Sequence, residues 1–282
     1  MSFSDRIAAC QVFDPARYVP FRVDGDEMGL IERGFADRLK RFPAVFRVTA
    51  DAVHLHEGLS GFAARTAAVD GALRELRAEG MFPSWRDEAF PVGTGFSSPP
   101  AFNLERAAVP AFGVRGYGVH LNGYVRDGGQ LLMWVARRAM DRAMAPGKLD
   151  QIVAGGQPAG LSLRRNLIKE CGEEAAIPPA LAAGAVGVGA IAYCTERAEG
   201  LRRDVEFIYD LELPPDFKPV NTDGEVAAFE LWPIETVAER VRDTDDFKFN
   251  CALVVIDFLI RHGLIEPDHP EYETLIRGLR GG

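Results

Sequence analysis

Apolar residues in the first third of the chain recur with both helical and strand-like spacing. Residues 29–42 carry four of them at helical spacing before a proline, so they predict a helix. Residues 66–80 predict a second helix that ends in a glycine. Between the two, residues 46–48 and 53–56 alternate around a polar turn, which predicts a hairpin. Together these elements predict a compact α+β unit over residues 1–110.

From residue 111 the pattern changes to alternating segments, which are typical of strands. Residues 112–125 are the longest of them, and a turn with two glycines separates them from a returning strand at 131–136. Further strands are predicted at 185–193, 206–213 and 225–232. Helical spacing returns near the end of the chain, at residues 234–241 and 247–262. Mixed strands and helices in this order predict an α/β fold.

One helix is predicted in the middle of the chain, directly after a loop rich in glycine and proline at residues 155–161. Ser162 stands where a side chain can cap the N-terminus of that helix. An apolar stripe then repeats every four residues: Leu163, Leu167, Cys171 and Ala175. Because a stripe of this kind needs a partner, we expect the helix to pack on a sheet.

Three carboxylates share a different face of the same helix. Glu170, Glu173 and Glu174 stand at i, i+3 and i+4, where like charges repel each other. They also lie toward the helix C-terminus, where the helix dipole disfavours anions. A hard divalent cation such as Mg2+ would relieve both penalties, because it prefers carboxylate oxygens. If the three glutamates are considered without their surroundings, the alternative to a metal site is an acidic helix face exposed to solvent.

The residues around this triplet resemble the Nudix box. That motif reads Gly, five residues, Glu, seven residues, then Arg-Glu-apolar-x-Glu-Glu-x-Gly-apolar. Counted from Gly155, the matching residues are Glu170, Cys171, Glu173, Glu174 and Ile177. Three residues depart from the motif, namely Leu161 at the first Glu, Lys169 at the Arg and Ala176 at the final Gly. Lysine keeps the charge of arginine without its bidentate fork.

The resemblance implies a Nudix α/β/α sandwich for residues 111–282, preceded by an N-terminal α+β domain at 1–110. More of the chain resembles the Nudix subfamily that carries such a domain and includes proteins fused to thiamin pyrophosphokinase in fungi. The segments concerned are 85–88, 118–124, 148–150 and 154–162. In that subfamily the first Glu of the box is also lost. Its enzymes act on thiamin diphosphate and its oxidised analogues and release phosphate, so the resemblance implies a small-molecule diphosphate substrate.

The resemblance also implies roles for individual residues, with Mg2+ as the cofactor and Mn2+ as the alternative ion. The expected metal ligands are the Gly155 carbonyl oxygen, Glu170, Glu173 and Glu174. The expected catalytic residues are Glu173, Glu174, Lys169 and Glu225. Of these, Glu225 is the candidate general base, with Glu196 and Glu206 as weaker candidates. Lys169 is expected to position Glu170 or to neutralise the carboxylates.

Five residues are predicted to bind the substrate: Trp85, Arg86, His120, Asn122 and Arg137. Trp85 and Arg86 combine a ring that can stack with a cation that can pair with phosphate. The alternative for Trp85 is a place in the core between the two domains. His120 and Asn122 share one face of a predicted strand, where they either line a pocket or form internal hydrogen bonds.

Composition and charge indicate which partners and which cellular location to expect. The 282-residue chain has a net charge of −9 spread along its length, which favours neither nucleic acid nor a membrane surface as a partner. Its apolar runs are too short for a membrane span, and its N-terminus lacks the apolar stretch of a signal peptide. Four cysteines without a C-x-x-C pair are typical of reduced thiols and predict a cytoplasmic protein.

Two other functions stay open from the sequence. One is a Nudix pyrophosphatase for a nucleoside diphosphate derivative, such as ADP-ribose, a dinucleotide or coenzyme A. The other is a Nudix-fold binding or regulatory protein whose altered box no longer hydrolyses anything. The N-terminal domain is likewise either part of the substrate pocket or the interface of a homodimer.

Overall fold

The N-terminal part of the chain forms a small sheet with helices around it. A computed structural model describes residues 2–280. The elements of this part are α1 (Phe3–Ala8), β1 (Tyr18–Val23), β2 (Asp26–Glu32), α2 (Arg33–Leu39), β3 (Phe46–Val48), β4 (Val53–Leu55), α3 (Phe62–Ala78), β5 (Ala89–Val92), β6 (Phe102–Glu105) and α4 (Val109–Phe112). A short 3-10 helix, Arg106–Ala108, joins β6 to α4.

The strands of this first sheet lie in the order β2-β1-β4-β3. The hairpin predicted for residues 46–48 and 53–56 is confirmed as β3 and β4, with the second strand one residue shorter than expected. The helix predicted for residues 29–42 is wrong in its first part, because the chain up to Glu32 belongs to β2 and pairs with β1. Gly29 also approaches the Phe112 carbonyl so closely that a side chain would collide with it. The Phe112 carbonyl is distant in sequence, so local spacing could not reveal it. β1 instead precedes β2 directly, across the two-residue turn Asp24-Gly25, and the helical spacing concealed this hairpin.

A cluster of phenylalanines fills the core of the N-terminal part. The ring of Phe21 contacts Phe46, Phe102 and Phe112 edge-on, with centroid separations of 6.5, 6.1 and 5.3 Å. All four side chains are fully buried. The predicted second helix is confirmed as α3, which begins four residues earlier than expected and adds buried leucines to this core. Tight aromatic packing of this kind makes the unit rigid.

The rest of the chain forms a larger sheet between helices. Its elements are β7 (Arg115–Asp127), β8 (Gln130–Arg138), β9 (Leu149–Gln151), β10 (Val153–Gly156), α5 (Leu163–Ala175), α6 (Pro179–Ala182), β11 (Val186–Arg197), β12 (Gly200–Glu212), β13 (Val226–Pro233), α7 (Ile234–Asp243), α8 (Phe249–Arg261) and α9 (Tyr272–Gly278). The strand order is β11-β12-β7-β8-β13, with β10 also paired to β7 and β9 to β8.

Helices cover both faces of this sheet. On one face, Leu167 and Cys171 of α5 share a core with Val119 of β7. On the other face, the residues of α8 share a core with Ile208 of β12, and the Phe258 ring lies 5.7 Å from the ring of Tyr124. Residues 119 and 124 of β7 point to opposite sides because side chains alternate along a strand. The expected α/β/α sandwich with an N-terminal α+β part is therefore the fold of this protein.

The first helix packs with the last helices of the chain. Phe3, Ile7 and Cys10 are buried in the core that α7, α8 and α9 share. A six-residue helix leaves too short a periodic pattern to be predicted from sequence. The division of the chain at residue 110 stays a prediction.

Two features bear on the expectations from composition. The four cysteines are free thiols, of which Cys194 is half-buried and the other three are buried. No helix between residues 2 and 280 combines the length and the apolar character that a membrane span requires.

Candidate metal and diphosphate site

Helix α5 begins and ends where the pattern of the loop and the apolar stripe predicts. Ser162 is its N-cap, and the Ser162 hydroxyl accepts a hydrogen bond from the Arg165 N–H at 3.3 Å. The helix ends at Ala176, which adopts the left-handed conformation with φ 51° and ψ 31°. The next N–H, that of Ile177, donates to the Cys171 carbonyl at 2.9 Å. A left-handed residue after a helix is the usual place for glycine, which is the residue that the Nudix box has there.

Ala176→Gly is therefore expected to stabilise the protein by about 1 kcal/mol, because a side chain at positive φ is strained and glycine is not. Urea unfolding at equilibrium measures this as a higher midpoint with an unchanged slope. A lower midpoint would show that packing of the Ala176 methyl group outweighs the strain.

The innermost carboxylate on α5 is that of Glu174, which is buried. Its Oε2 atom accepts a hydrogen bond from the Ala154 N–H at 2.8 Å. Burial raises the pKa of Glu174 well above its ordinary range, and the charges of Glu170, Asp150 and Glu225 raise it further. Within residues 2–280, no lysine, arginine or histidine forms an ion pair with Glu174. The carboxylate is thus placed where a bound cation would compensate its charge.

Glu170 lies directly against the backbone of Gly155. A Cβ atom on Gly155 would stand 2.6 Å from Glu170 Cγ and 2.7 Å from its Oε2. Burial raises the pKa of Glu170, and the positive charge of Lys169 opposes that rise. The absence of a side chain at residue 155 is therefore what lets this carboxylate occupy its position.

Lys169 stands between two of the three carboxylates. Its Nζ atom donates to Glu173 Oε2 at 2.6 Å and to Glu170 Oε1 at 3.2 Å. Glu173 is exposed on the outer side of the helix. A lysine at the arginine position of the box thus contacts both neighbouring carboxylates, although it lacks the fork of arginine.

The loop between β12 and β13 brings Glu225 to this end of α5. The Thr222 N–H donates to the Glu173 carbonyl at 3.3 Å, which docks the loop on the helix. The Glu225 carboxylate pairs with Arg142 at 2.6 Å and lies 3.8 Å from Arg86. The structure therefore brings Glu225 together with the carboxylates of the box.

The two weaker candidates for the general base lie elsewhere. Glu196 pairs with Arg17 at 2.7 Å, in contact with the N-terminal sheet. Glu206 is buried under α8, where Asn250 donates to it at 3.2 Å. Neither residue contacts a carboxylate of the box.

His120 and Asn122 are buried on the face of β7 opposite to α5. His120 Nδ1 lies 2.8 Å from Gln151 Oε1, and the Asn122 amide donates to Asp210 at 3.0 Å. Both side chains share the side of Tyr124, which packs on α8. The structure does not bring these two predicted substrate-binding residues to the carboxylates.

Trp85 and Arg137 also lie apart from the box. The guanidinium carbons of Arg74 and Arg77 lie 5.2 and 4.8 Å from the centroid of the Trp85 ring. The indole N–H of Trp85 donates to Asp87 at 2.9 Å. The ring packs partly on the N-terminal core. Arg137 donates to Glu230 on the neighbouring strand at 3.3 Å.

Sequence reasoning missed three side chains near the box: Phe90, Arg106 and Arg142. A Cβ on Gly156 would meet the Phe90 ring at 2.8 Å and the Arg106 guanidinium carbon at 3.6 Å. No signal in the sequence links these residues to the box, because they reach it from other elements through the fold. The Trp85-Arg86 segment was the nearest indication that the N-terminal part contributes to the site.

A second group of ligand-type side chains lies deeper in the sheet, where His120, Asp150 and Cys251 bring atoms within 4.8 Å of one another. Arg138 pairs with Asp150 at 2.8 Å, and Lys248 lies 3.8 Å from it. The Cys251 thiol donates to the same carboxylate at 2.7 Å. Two cations and a thiol donor already compensate Asp150, so this group is a balanced polar core.

Comparisons with known proteins show what this chain is similar to. A family model described as a domain of unknown function, DUF4743, matches residues 2–116. Nudix hydrolase 24, chloroplastic, of Arabidopsis thaliana is 45% identical over 267 residues, which are 94% of this chain and 73% of that protein. Nudix hydrolase 20, chloroplastic, of the same plant is 43% identical over 272 residues, or 93% and 73% of the two chains. Among solved structures, the MutT protein from Methanosarcina mazei Go1 is 16% identical with a TM-score of 0.40, covering 51% of this chain and 92% of that one.

Proposed function

The chain belongs to the Nudix hydrolase family, and we propose that it hydrolyses the diphosphate linkage of a small molecule with Mg2+ as cofactor. Divalent metal ions are the general cofactors of this family. The substrate we propose is thiamin diphosphate or one of its oxidised analogues, with release of phosphate.

The observation that carries the metal-dependent reaction is the buried carboxylate of Glu174 with a single backbone partner. A buried carboxylate without a cation is unfavourable, so the site fits an ion that would compensate it. The Glu170 and Glu173 carboxylates on the same helix offer oxygen atoms, which are the ligands that Mg2+ prefers and Mn2+ accepts. The residues that would hold the ion are Gly155, through its carbonyl oxygen, Glu170, Glu173 and Glu174.

When bound, Mg2+ neutralises phosphate oxygens and lowers the pKa of a bound water. The chain's own residues position the reacting groups. Glu225 accepts the proton of the attacking water, and Arg142 holds the Glu225 carboxylate in place at 2.6 Å. Lys169 keeps the Glu170 and Glu173 carboxylates in a fixed relation to each other.

The choice of substrate rests on the likeness of several segments to the thiamin-linked Nudix subfamily. The position of one of these segments supports it, because residues 85–88 bring Arg86 within 3.8 Å of Glu225. A cation expected to pair with phosphate therefore lies beside the box. His120, Asn122 and Arg137 have no part in this proposal.

Removal of divalent ions should abolish hydrolysis, because the carboxylates alone repel a diphosphate and cannot activate water. We expect no phosphate release from protein treated with EDTA, and recovery of the rate when Mg2+ or Mn2+ is added back. The rate and the melting temperature should be measured on the same samples, so that loss of metal is separated from loss of fold. Undiminished release from folded, metal-free protein would contradict the metal assignment.

A substrate panel tests the proposed reaction. Hydrolysis of the diphosphate linkage with Mg2+ is measured by chromatography of the products for thiamin diphosphate, oxythiamin diphosphate, ADP-ribose, a dinucleotide and coenzyme A. Chromatography is needed because the last three compounds split into two phosphate monoesters and release no free phosphate. We expect the highest kcat/KM for a thiamin-type compound. Preference for a nucleotide would overturn the substrate while keeping the reaction, and no turnover by folded protein would overturn the hydrolase proposal in favour of a binding protein.

A further inference from the structure

Two arginines of the N-terminal part lie near the box and the loop that carries Glu225. Arg106, in the 3-10 helix after β6, lies beside Gly156 at the end of β10, with its guanidinium carbon 3.6 Å from the point where a Gly156 Cβ would stand. Its positive charge is one of those that lower the pKa of Glu170 against the larger, opposite effect of burial. Arg86 lies 3.8 Å from Glu225 on the same cluster. Carboxylates from one part of the chain thus lie close to cations from the other.

A buried carboxylate fixes both arginines in these positions. Glu105 accepts hydrogen bonds from the backbone N–H groups of Arg86 at 2.9 Å, Glu88 at 3.1 Å and Ala107 at 3.2 Å. The Arg106 N–H in turn donates to the Glu88 carbonyl at 2.9 Å. These bonds tie the segment that carries Arg86 to the 3-10 helix that carries Arg106. The backbone positions of the two arginines are therefore fixed relative to each other.

The segment that carries Arg86 and Arg106 is docked on the loop of the box by its backbone. The Ala159 N–H donates to the Ala89 carbonyl of β5 at 2.8 Å, and the Phe90 ring packs against Gly156. The Arg106 guanidinium also lies 5.8 Å from the centroid of the Phe90 ring. The position of Arg106 relative to the carboxylates is thus set by main-chain contacts.

The Arg106 side chain keeps donors available for a ligand. Among the side chains of residues 2–280, Glu88 alone accepts a hydrogen bond from it, at 2.8 Å, and 44% of the Arg106 side chain is exposed. By contrast, Lys169 is engaged by two glutamates, and Arg142 pairs with Glu225 and is only 19% exposed. A guanidinium has five N–H donors in a planar fork that fits a phosphate in bidentate fashion.

We propose that Arg106, with Arg86 beside it, binds the diphosphate of the substrate. The N-terminal part of the chain then supplies the cationic wall of the active site, and α5 supplies the carboxylate wall. This inference rests on the proposed function and gives the domain of unknown function a place in it. Glu105 is a positioning residue for both arginines.

The test compares Arg106→Ala, Arg106→Lys and a matched control, Arg47→Ala, which removes an exposed arginine of β3 in the same part of the chain. Binding of methylenediphosphonate, a diphosphate that cannot be hydrolysed, is measured with Mg2+ by calorimetry. We expect Arg106→Ala to bind about 10- to 100-fold more weakly, as for the loss of hydrogen bonds to a charged group. Arg106→Lys should lose less, the control should bind like the wild type, and free guanidinium should partly restore Arg106→Ala.

Wild-type affinity of Arg106→Ala for methylenediphosphonate would overturn the inference. A second result would also overturn it. If Arg106→Ala binds weakly and melts at a lower temperature, and neither Arg106→Lys nor added guanidinium improves binding, then the role of Arg106 is purely structural. The proposed function fails separately. Suppose that the wild type hydrolyses no compound of the panel but binds methylenediphosphonate, and that Arg106→Ala binds it weakly. The proposed arginine site would then be supported, and the proposed hydrolase activity would not.

Discussion

Glu174→Gln is expected to lower the rate of phosphate release by about 1000-fold, because loss of a metal ligand removes several kcal/mol of transition-state stabilisation. Glutamine has nearly the shape of glutamate and keeps an oxygen that can accept the Ala154 N–H. It lacks the negative charge that would bind the ion. The fold should therefore remain while hydrolysis is lost.

The same substitution is expected to stabilise the metal-free protein at neutral pH. Burial raises the pKa of Glu174 well above its ordinary value of 4.5, so the ionised side chain is unfavourable in the folded state. Each pKa unit of such a rise corresponds to about 1.4 kcal/mol of lost stability at high pH. A neutral glutamine avoids this loss, because it carries no charge to desolvate.

The pH dependence has a definite sign. In the metal-free wild type, the stability that Glu174 contributes is fully present below pH 4.5, where the group is protonated in both states. It is lost as the pH rises toward the higher pKa of the folded state, because the folded protein then binds more protons than the unfolded one. Urea unfolding of metal-free wild type and Glu174→Gln should therefore diverge from pH 4.5 toward neutrality, with the variant more stable.

Glu239→Gln is a matched control, since Glu239 is an exposed residue of α7 far from the box. It should leave both the rate and the pH profile unchanged. A wild-type rate in folded Glu174→Gln would contradict the assignment of Glu174 as a metal ligand. Parallel unfolding profiles for the wild type and the variant would instead show that the buried charge is compensated without a metal.

The carboxylate wall of the site can be predicted from the sequence because its determinants are local. Ser162 and the apolar stripe set the limits and the orientation of α5, and the spacing of three glutamates sets their common face. The left-handed residue at the end of the helix also corresponds to a position of the box, namely the glycine that Ala176 replaces. Each of these features depends on residues within one element.

The cationic wall cannot be predicted in the same way. Arg106 and Arg142 reach the carboxylates from separate elements, so only the packing of the two parts brings them there. The alternation of His120 and Asn122 correctly places them on one face of β7, but it does not say which face carries α5. Contacts between distant segments decide these cases. The helical spacing of Leu30 and Ile31 misleads for a different reason, because β2 pairs with the preceding strand β1 across the two-residue turn Asp24-Gly25.

Gly155→Ala is expected to lower the rate of hydrolysis by about 100-fold or more. The added methyl group displaces Glu170, an expected metal ligand, and a misplacement of about 1 Å in an active site can cost a factor of about 100. The added Cβ would stand 2.6 Å from Glu170 Cγ, well inside van der Waals contact. Glu170 would have to leave its position over the loop. The apparent affinity for Mg2+, measured from the dependence of the rate on Mg2+ concentration, should fall together with the rate.

A second glycine of the box provides the control for this change. Gly172 lies in the last turn of α5, and a Cβ there would have no neighbouring atom within 4 Å outside the helix's own backbone. Gly172→Ala should keep the wild-type rate and stabilise the protein by about 1 kcal/mol, since alanine favours a helix over glycine by that amount. Gly155→Ala should lose about 1–3 kcal/mol through overpacking. If instead Gly155→Ala keeps both the rate and the Mg2+ dependence of the wild type, the Glu170 carboxylate does not need its place beside residue 155, and its role as a ligand fails.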